Sequence, residues 1–351
     1  MKINALSIAL LAVTFGLLYS CKDHCAHNGT CDDPLNIDYP AAYIVNGGDG
    51  TLSVVNLNDS KVEDEISLNG ATFPHHAYLS PDHTTLAVAI ASTDLSGGHS
   101  GHGGSTTGGY KVMIIDARTG EIHHEISTDH LPHNAAFNKD GSELWVSQST
   151  EEGHVLIFKT TDYSKIAEIA TGKMPSEITF SADGSRAFVA NTEAGTVVMI
   201  DPATKVVLQT INVGQDPVGA WPGADGNMYV DNETGQSISV VSVATGMVTT
   251  TIPLGFKPGY AAYHPHQEEL WVSDATHGKV AYFKLEGGAW ARKGDFATGA
   301  DAHAIVFLAD NKTALVSNQG AGTVSVIDIE NHTKTKDIPV GSKPNGIVLK
   351  Q

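Results

Sequence analysis

The chain has 351 residues, of which 41% are hydrophobic and 17% charged, with 36 glycines and 14 prolines. So many turn-forming residues, and so few charges, suit short strands joined by tight turns better than long helices. A formal net charge of −18 argues against a nucleic-acid partner, because phosphate binding draws on clustered Lys and Arg.

The amino terminus, MKINALSIALLAVTFGLLYSC, carries one Lys, an apolar run and then Ser20 directly before Cys21. It is similar to a bacterial lipoprotein signal, with Leu18, Tyr19, Ser20 and Cys21 matching the pattern. The resemblance implies removal of 1–20, a lipid on Cys21, and a cell-envelope location on the periplasmic side or surface of a Gram-negative bacterium. Residues 21–38 then form a tether. Within it, Cys25 and Cys31 can pair as a disulfide in an oxidising compartment. Alternatively His24, Cys25, His27 and Cys31 offer a mixed N and S set to a metal ion.

From residue 39 to 351 one pattern recurs roughly every 42 residues, a propeller-blade period. The clearest copy starts at Pro175, PSEITFSADGSRAFVANTEAGTVVMIDPATKVVLQTINVG, and reads as four strands joined by Asp-Gly and Gly-containing turns. The innermost strand recurs as HHAYLS, HNAAFN, SEITFS, VGAWPG, GYAAYH, HAIVFL and NGIVLK. The chain begins with a blade's second strand, AYIVNG, and ends with an inner strand. The expected fold is therefore an all-β, seven-bladed β-propeller of four-stranded blades, closed by pairing of the two terminal strands in one blade. AFVANTEAGTVVMIDPATKVV and ALVSNQGAGTVSVIDIENHTK resemble the YVTN family of propellers, to which YncE-like periplasmic proteins belong. That resemblance specifies fold rather than function, since such propellers host many activities.

Loops entering inner strands, and loops between second and third strands, emerge at one end of the ring. They hold His75, His76, His130, His133 and His303, and His99, His102, His154 and His277. Alignment of the inner strands puts His75, His133, Ser176, Val218, Gly259, His303 and Asn345 at one place, where each strand enters the channel mouth. Three imidazoles converging there can hold Zn²⁺ or Cu²⁺. His76, Asp274 or Asp301 can complete or orient the set. Imidazoles must lose their protons to ligate, so affinity is expected to fall near about pH 6.

Blade 2 carries a long insertion, SGGHSGHGGSTTGG at 96–109, whose glycines and serines make a flexible loop bearing His99 and His102. It is either a spacer or a device that captures an ion for the fixed site. Together with His75, His133 and His303, the GGHSGHGG run resembles periplasmic zinc-chaperone propellers. The resemblance implies a metal carrier handing its ion to a transport or acceptor protein, and the chain is expected to be monomeric. Two other readings stand beside it. One is a non-catalytic scaffold for a protein or other ligand, although Trp145, Trp221 and Trp271 read as blade packing and only Trp290 as a loop residue. The other is a metal-dependent oxidoreductase-like propeller, against which stands the lack of a CxxCH motif and of a Ser-His-Asp or paired-carboxylate set.

Overall fold

A computed structural model describes residues 35–97 and 109–351. Cys21, His24, Cys25, His27, Cys31, His99 and His102 lie outside the described residues. The described part is all-β and forms seven four-stranded antiparallel sheets. They are numbered here from the closing blade. Blade 1 joins Pro344–Lys350 to Ala41–Asn46, Thr51–Asn56 and Lys61–Ser67, in that order from inside to outside. Ile347 faces Ile44 and Lys350 faces Ala41 across the joint between the two ends of the chain. The inner strands of blades 2 to 7 are Pro74–Leu79, Pro132–Phe137, Pro175–Phe180, Pro217–Pro222, Pro258–His264 and Ala302–Phe307. Consecutive inner strands contact one another around the ring, so closure leaves no inner edge for a foreign strand.

Recurring residues have recurring tasks. Asn232 and Asn318 end the second strands of blades 5 and 7. The amide of Asn232 donates to Ser237 and Ser239, and that of Asn318 to Thr323 and Ser325. Their carbonyl oxygens accept from the backbone N–H of Gly214 and Gly299 at 2.9 and 2.8 Å. A Cβ on either glycine would come within 2.7 Å of its asparagine or closer, which explains the paired Gly and Asn in these repeats. Trp145 and Trp271, in the second strands of blades 3 and 6, are fully buried, and each indole N–H is satisfied at 2.9 Å by the carboxylate two residues earlier, Glu143 or Glu269. Burying such rings contributes on the order of 2–3 kcal/mol each.

The next blade pins each carboxylate. Lys205 reaches Glu143 at 2.7 Å, and His332, at the matching turn of blade 7, reaches Glu269 at 2.9 Å. His332 also stacks on Tyr282 with ring centroids 3.8 Å apart, so this histidine belongs to the packing between blades. Trp290, expected in a loop, lies in the outer strand Ala289–Ala297 and packs edge-on against Tyr229 of blade 5. Its apolar ring has a neighbouring blade to cover it, which the sequence pattern of one blade does not reveal.

Candidate metal centre at the channel mouth

Every inner strand begins with an irregularity in its pairing. In blade 2, Pro74 faces Ile90 and Ala77 faces Val88, so His75 and His76 together oppose Ala89. Blade 3 repeats this, with His133 and Asn134 sharing Ser147, and blade 4 with Ser176 and Glu177 sharing Ala190. Such a bulge breaks the alternation of faces, so two successive side chains serve the same end of the channel. The rings of His75 and His76 are consequently only 4.2 Å apart. The residue just before several of these strands adopts a left-handed backbone, with φ of 50° at Phe73, 52° at Met174 and 58° at Asp301. That conformation is uncommon for residues with a Cβ and concentrates strain at the mouth.

The residues at the aligned place run around the ring from blade to blade. Nδ1 of His75 lies 3.2 Å from the main-chain carbonyl of His133, as Ser176 Oγ donates to Val218 at 2.6 Å and Asn345 Nδ2 to Pro74 at 3.1 Å. A carbonyl only accepts, so this contact favours a proton on Nδ1 of His75 and turns Nε2 into the nitrogen suited to ligate, one of the two tautomers a metal ligand can use. Nδ1 of His133 in turn lies 3.1 Å from Oε1 of Glu177. His75, His133 and Glu177 each offer one ligand atom, all within 4.8 Å of one another, and the three residues are 4%, 1% and 0% exposed.

Other groups hold this trio. His76 Nε2 approaches Glu177 Oε1 at 3.5 Å, and the hydroxyl of Tyr78 donates to Glu177 Oε2 at 3.2 Å. Asn134 clasps the next strand: its Nδ2 donates to the Ile178 carbonyl at 2.7 Å, and its Oδ1 accepts the Ile178 N–H at 3.0 Å. One amide therefore joins the residue after His133 to the residue after Glu177. Burial pushes the Glu177 carboxyl well above the usual range, and the acid Asp231 adds to the rise, against hydrogen bonds from Tyr78 and Asn134. Asp231 is itself raised by burial, despite accepting from Trp221 Nε1 at 2.7 Å and Gly219 N at 3.0 Å. A divalent cation would reverse the penalty at Glu177 by favouring the ionised form. Two imidazoles and a carboxylate match the donor sets of zinc and related transition-metal sites that keep a position open. A narrow crevice at the mouth, lined in part by Pro74, Asp94, Lys343 and Asn345, reaches His75.

The structure sorts the other expected ligands differently. Neither His303 nor Asp274 belongs to the trio. His303 is buried with its ring 6.0 Å from that of His76 and 6.5 Å from Tyr260. Gly259, at the aligned place of blade 6, makes room for it, since a Cβ there would sit 3.1 Å from His303 Nδ1. Asp274 accepts from the N–H of His277 at 3.1 Å and contacts His277 Nδ1 at 2.8 Å, the work of a turn carboxylate. The third residue of the group that could hold an ion is instead Glu177, one residue past the aligned place. Its signal was a charged residue inside a strand that must be buried, a location carboxylates occupy only when paired or functional.

No curated protein matches the sequence significantly. The family model of the choice-of-anchor I domain matches residues 146–344, more than half of the chain. The chain belongs to the choice-of-anchor I family. Glu177 and His303 of this choice-of-anchor I chain lie inside the matched segment, while His75 and His133 precede it, so membership does not by itself supply the trio. Among solved structures it is similar to the periplasmic gluconolactonase of Pseudomonas aeruginosa, with 18% identity, a TM-score of 0.70, and 89% of this chain and 99% of that one covered. A putative 6-phosphogluconolactonase of Bacteroides fragilis gives 17% identity, a TM-score of 0.70 and coverage of 91% and 100%. Hydrazine synthase of Kuenenia stuttgartiensis gives 19%, a TM-score of 0.63, and coverage of 78% and 88%. At such identities the likeness establishes the fold, which this choice-of-anchor I chain shares with proteins of different activity.

Proposed function

We propose that this propeller binds a divalent transition-metal ion, Zn²⁺ or Cu²⁺, through His75, His133 and Glu177, and acts as a metal carrier of the cell envelope. The observation that carries the reading is the meeting of three metal-competent side chains from three consecutive blades in a buried place at the channel mouth. In the same reading Cys21 bears a lipid, His99 and His102 bring ions to the mouth, and a transport or acceptor protein receives them. Titration calorimetry with Zn²⁺ and Cu²⁺ tests it: about one ion per chain is expected, lost in His75→Ala and in His133→Ala and retained in His277→Ala. Absence of heat in the unmutated protein would turn the reading to a scaffold propeller.

A second reading is favoured by one feature, that three protein ligands leave a coordination position for water or substrate. The lactonase names among the similar structures suggest sugar lactones as the first substrates to try. Metal-dependent lactone hydrolysis that disappears in His75→Ala would replace carrier by hydrolase; no turnover in the metal-loaded protein excludes it.

A further inference from the structure

The carboxylate of Glu177 is handled differently at its two oxygens. Oε1 faces imidazoles, His133 Nδ1 at 3.1 Å and His76 Nε2 at 3.5 Å. Oε2 accepts the phenolic hydrogen bond of Tyr78, which reaches it at 3.2 Å from blade 2 although the two residues are 99 apart in sequence. The Tyr78 ring is fixed independently of that bond, since it packs against two apolar clusters, one between blades 2 and 3 that contains Ala135 and Val146 and one between blades 3 and 4 that contains Ala136 and Ile178. Its hydroxyl is therefore delivered to Oε2 by the core. A carboxylate can grip an ion with one oxygen or with both, and gripping with both would require Oε2 to leave this hydroxyl.

We propose that Tyr78 is a positioning residue that holds Oε2 of Glu177, so that the carboxylate offers a bound metal ion Oε1 alone and the ion keeps an open coordination position. The inference rests on the metal reading above and deepens it, because it fixes the coordination number and hence the site's ability to accept an outside ligand. Losing such an outer partner typically weakens metal binding by about 10- to 100-fold. A tyrosine that served only to pack the channel would affect stability but not the number of ligands on the ion.

Cobalt(II) separates these roles, because its visible bands are intense in four-coordinate sites and weak in five- or six-coordinate ones. Unmutated protein and Tyr78→Phe, which keeps the ring and removes the hydroxyl, are titrated with Co²⁺, and far-ultraviolet circular dichroism confirms that both are folded. The expected result is intense four-coordinate bands in the unmutated protein, water filling the open position. Tyr78→Phe should give weaker bands and a Kd raised about 10- to 100-fold. Binding by both proteins with the same spectrum and a Kd within about twofold, well short of that loss, overturns the role of Tyr78 and leaves the metal reading standing. Failure of the unmutated protein to bind Co²⁺ or Zn²⁺ overturns the metal reading and this inference with it.

Discussion

His133 and Glu177 come from adjacent inner strands, and Nδ1 of the first lies 3.1 Å from Oε1 of the second, with both side chains closed off from solvent. In the proposed site the pair makes Glu177 the third donor beside His75 and leaves His303 outside it. Glu177→Ala should therefore abolish uptake of about one Zn²⁺ per chain, whereas His303→Ala should leave stoichiometry unchanged and alter the Kd by less than about tenfold. Equilibrium dialysis of the two variants checks this, and the reverse pattern would restore a three-histidine site.

Asn134 joins blades 3 and 4 by accepting from and donating to the backbone of Ile178. Asn134→Ala would strand a buried N–H and a buried C=O beside Glu177, at a cost of about 2–4 kcal/mol. Urea denaturation should show that loss, and metal affinity should fall with it because the clasp sets the spacing of His133 and Glu177.

Trp221 folds back over Gly219 in blade 5. A Cβ at Gly219 would come within 2.3 Å of the indole, whose Nε1 bonds to Asp231. Gly219→Ala must displace the ring from Asp231 and from Tyr260, whose centroid is 3.8 Å away. A destabilisation of about 1–3 kcal/mol is expected, with a changed near-ultraviolet dichroism from Trp221.

Asp231, outside the trio but coupled by charge to Glu177, gives a pH test. Burial raises its native pKa, so between the unfolded value, about 4, and that raised value the native state holds a proton that the unfolded chain has released. Stability then declines as pH rises through this window. Asp231→Asn keeps the acceptor for Trp221 and Gly219 but cannot ionise. Relative to the unmutated protein, the variant should gain stability between pH 4 and pH 8 in urea unfolding. An equal difference at both pH values would show that Asp231 is not held neutral.

The ring and its closure were legible because the period of about 42 residues and the strand-turn-strand pattern are local signals that recur along the chain, with Asp-Gly turns at 140–141, 183–184 and 225–226 marking several of the copies. AYIVNG lacking its inner strand and NGIVLK lacking its outer ones gave the joint between the termini, now seen as Ile44 against Ile347. His75 and His133 were legible because alignment of the repeats puts them at one place. Glu177 was not, because the bulge admits two successive residues to the mouth and the alignment counted only the first. Equivalence in a repeat fixes position around the ring but not which side chains meet, and His303 lies with its ring 6.0 Å from that of His76, outside the group of three. Asp274 shows the same limit, since its carboxylate is claimed by its own turn.

The most direct test is anomalous diffraction from crystals soaked with zinc, recorded on both sides of the zinc absorption edge. The account predicts one dominant peak at the channel mouth, about 2.0–2.2 Å from one nitrogen of His75, one nitrogen of His133 and Oε1 of Glu177. A dominant peak elsewhere, for example between His277 and Asp274, or an empty mouth at saturating zinc, would contradict it.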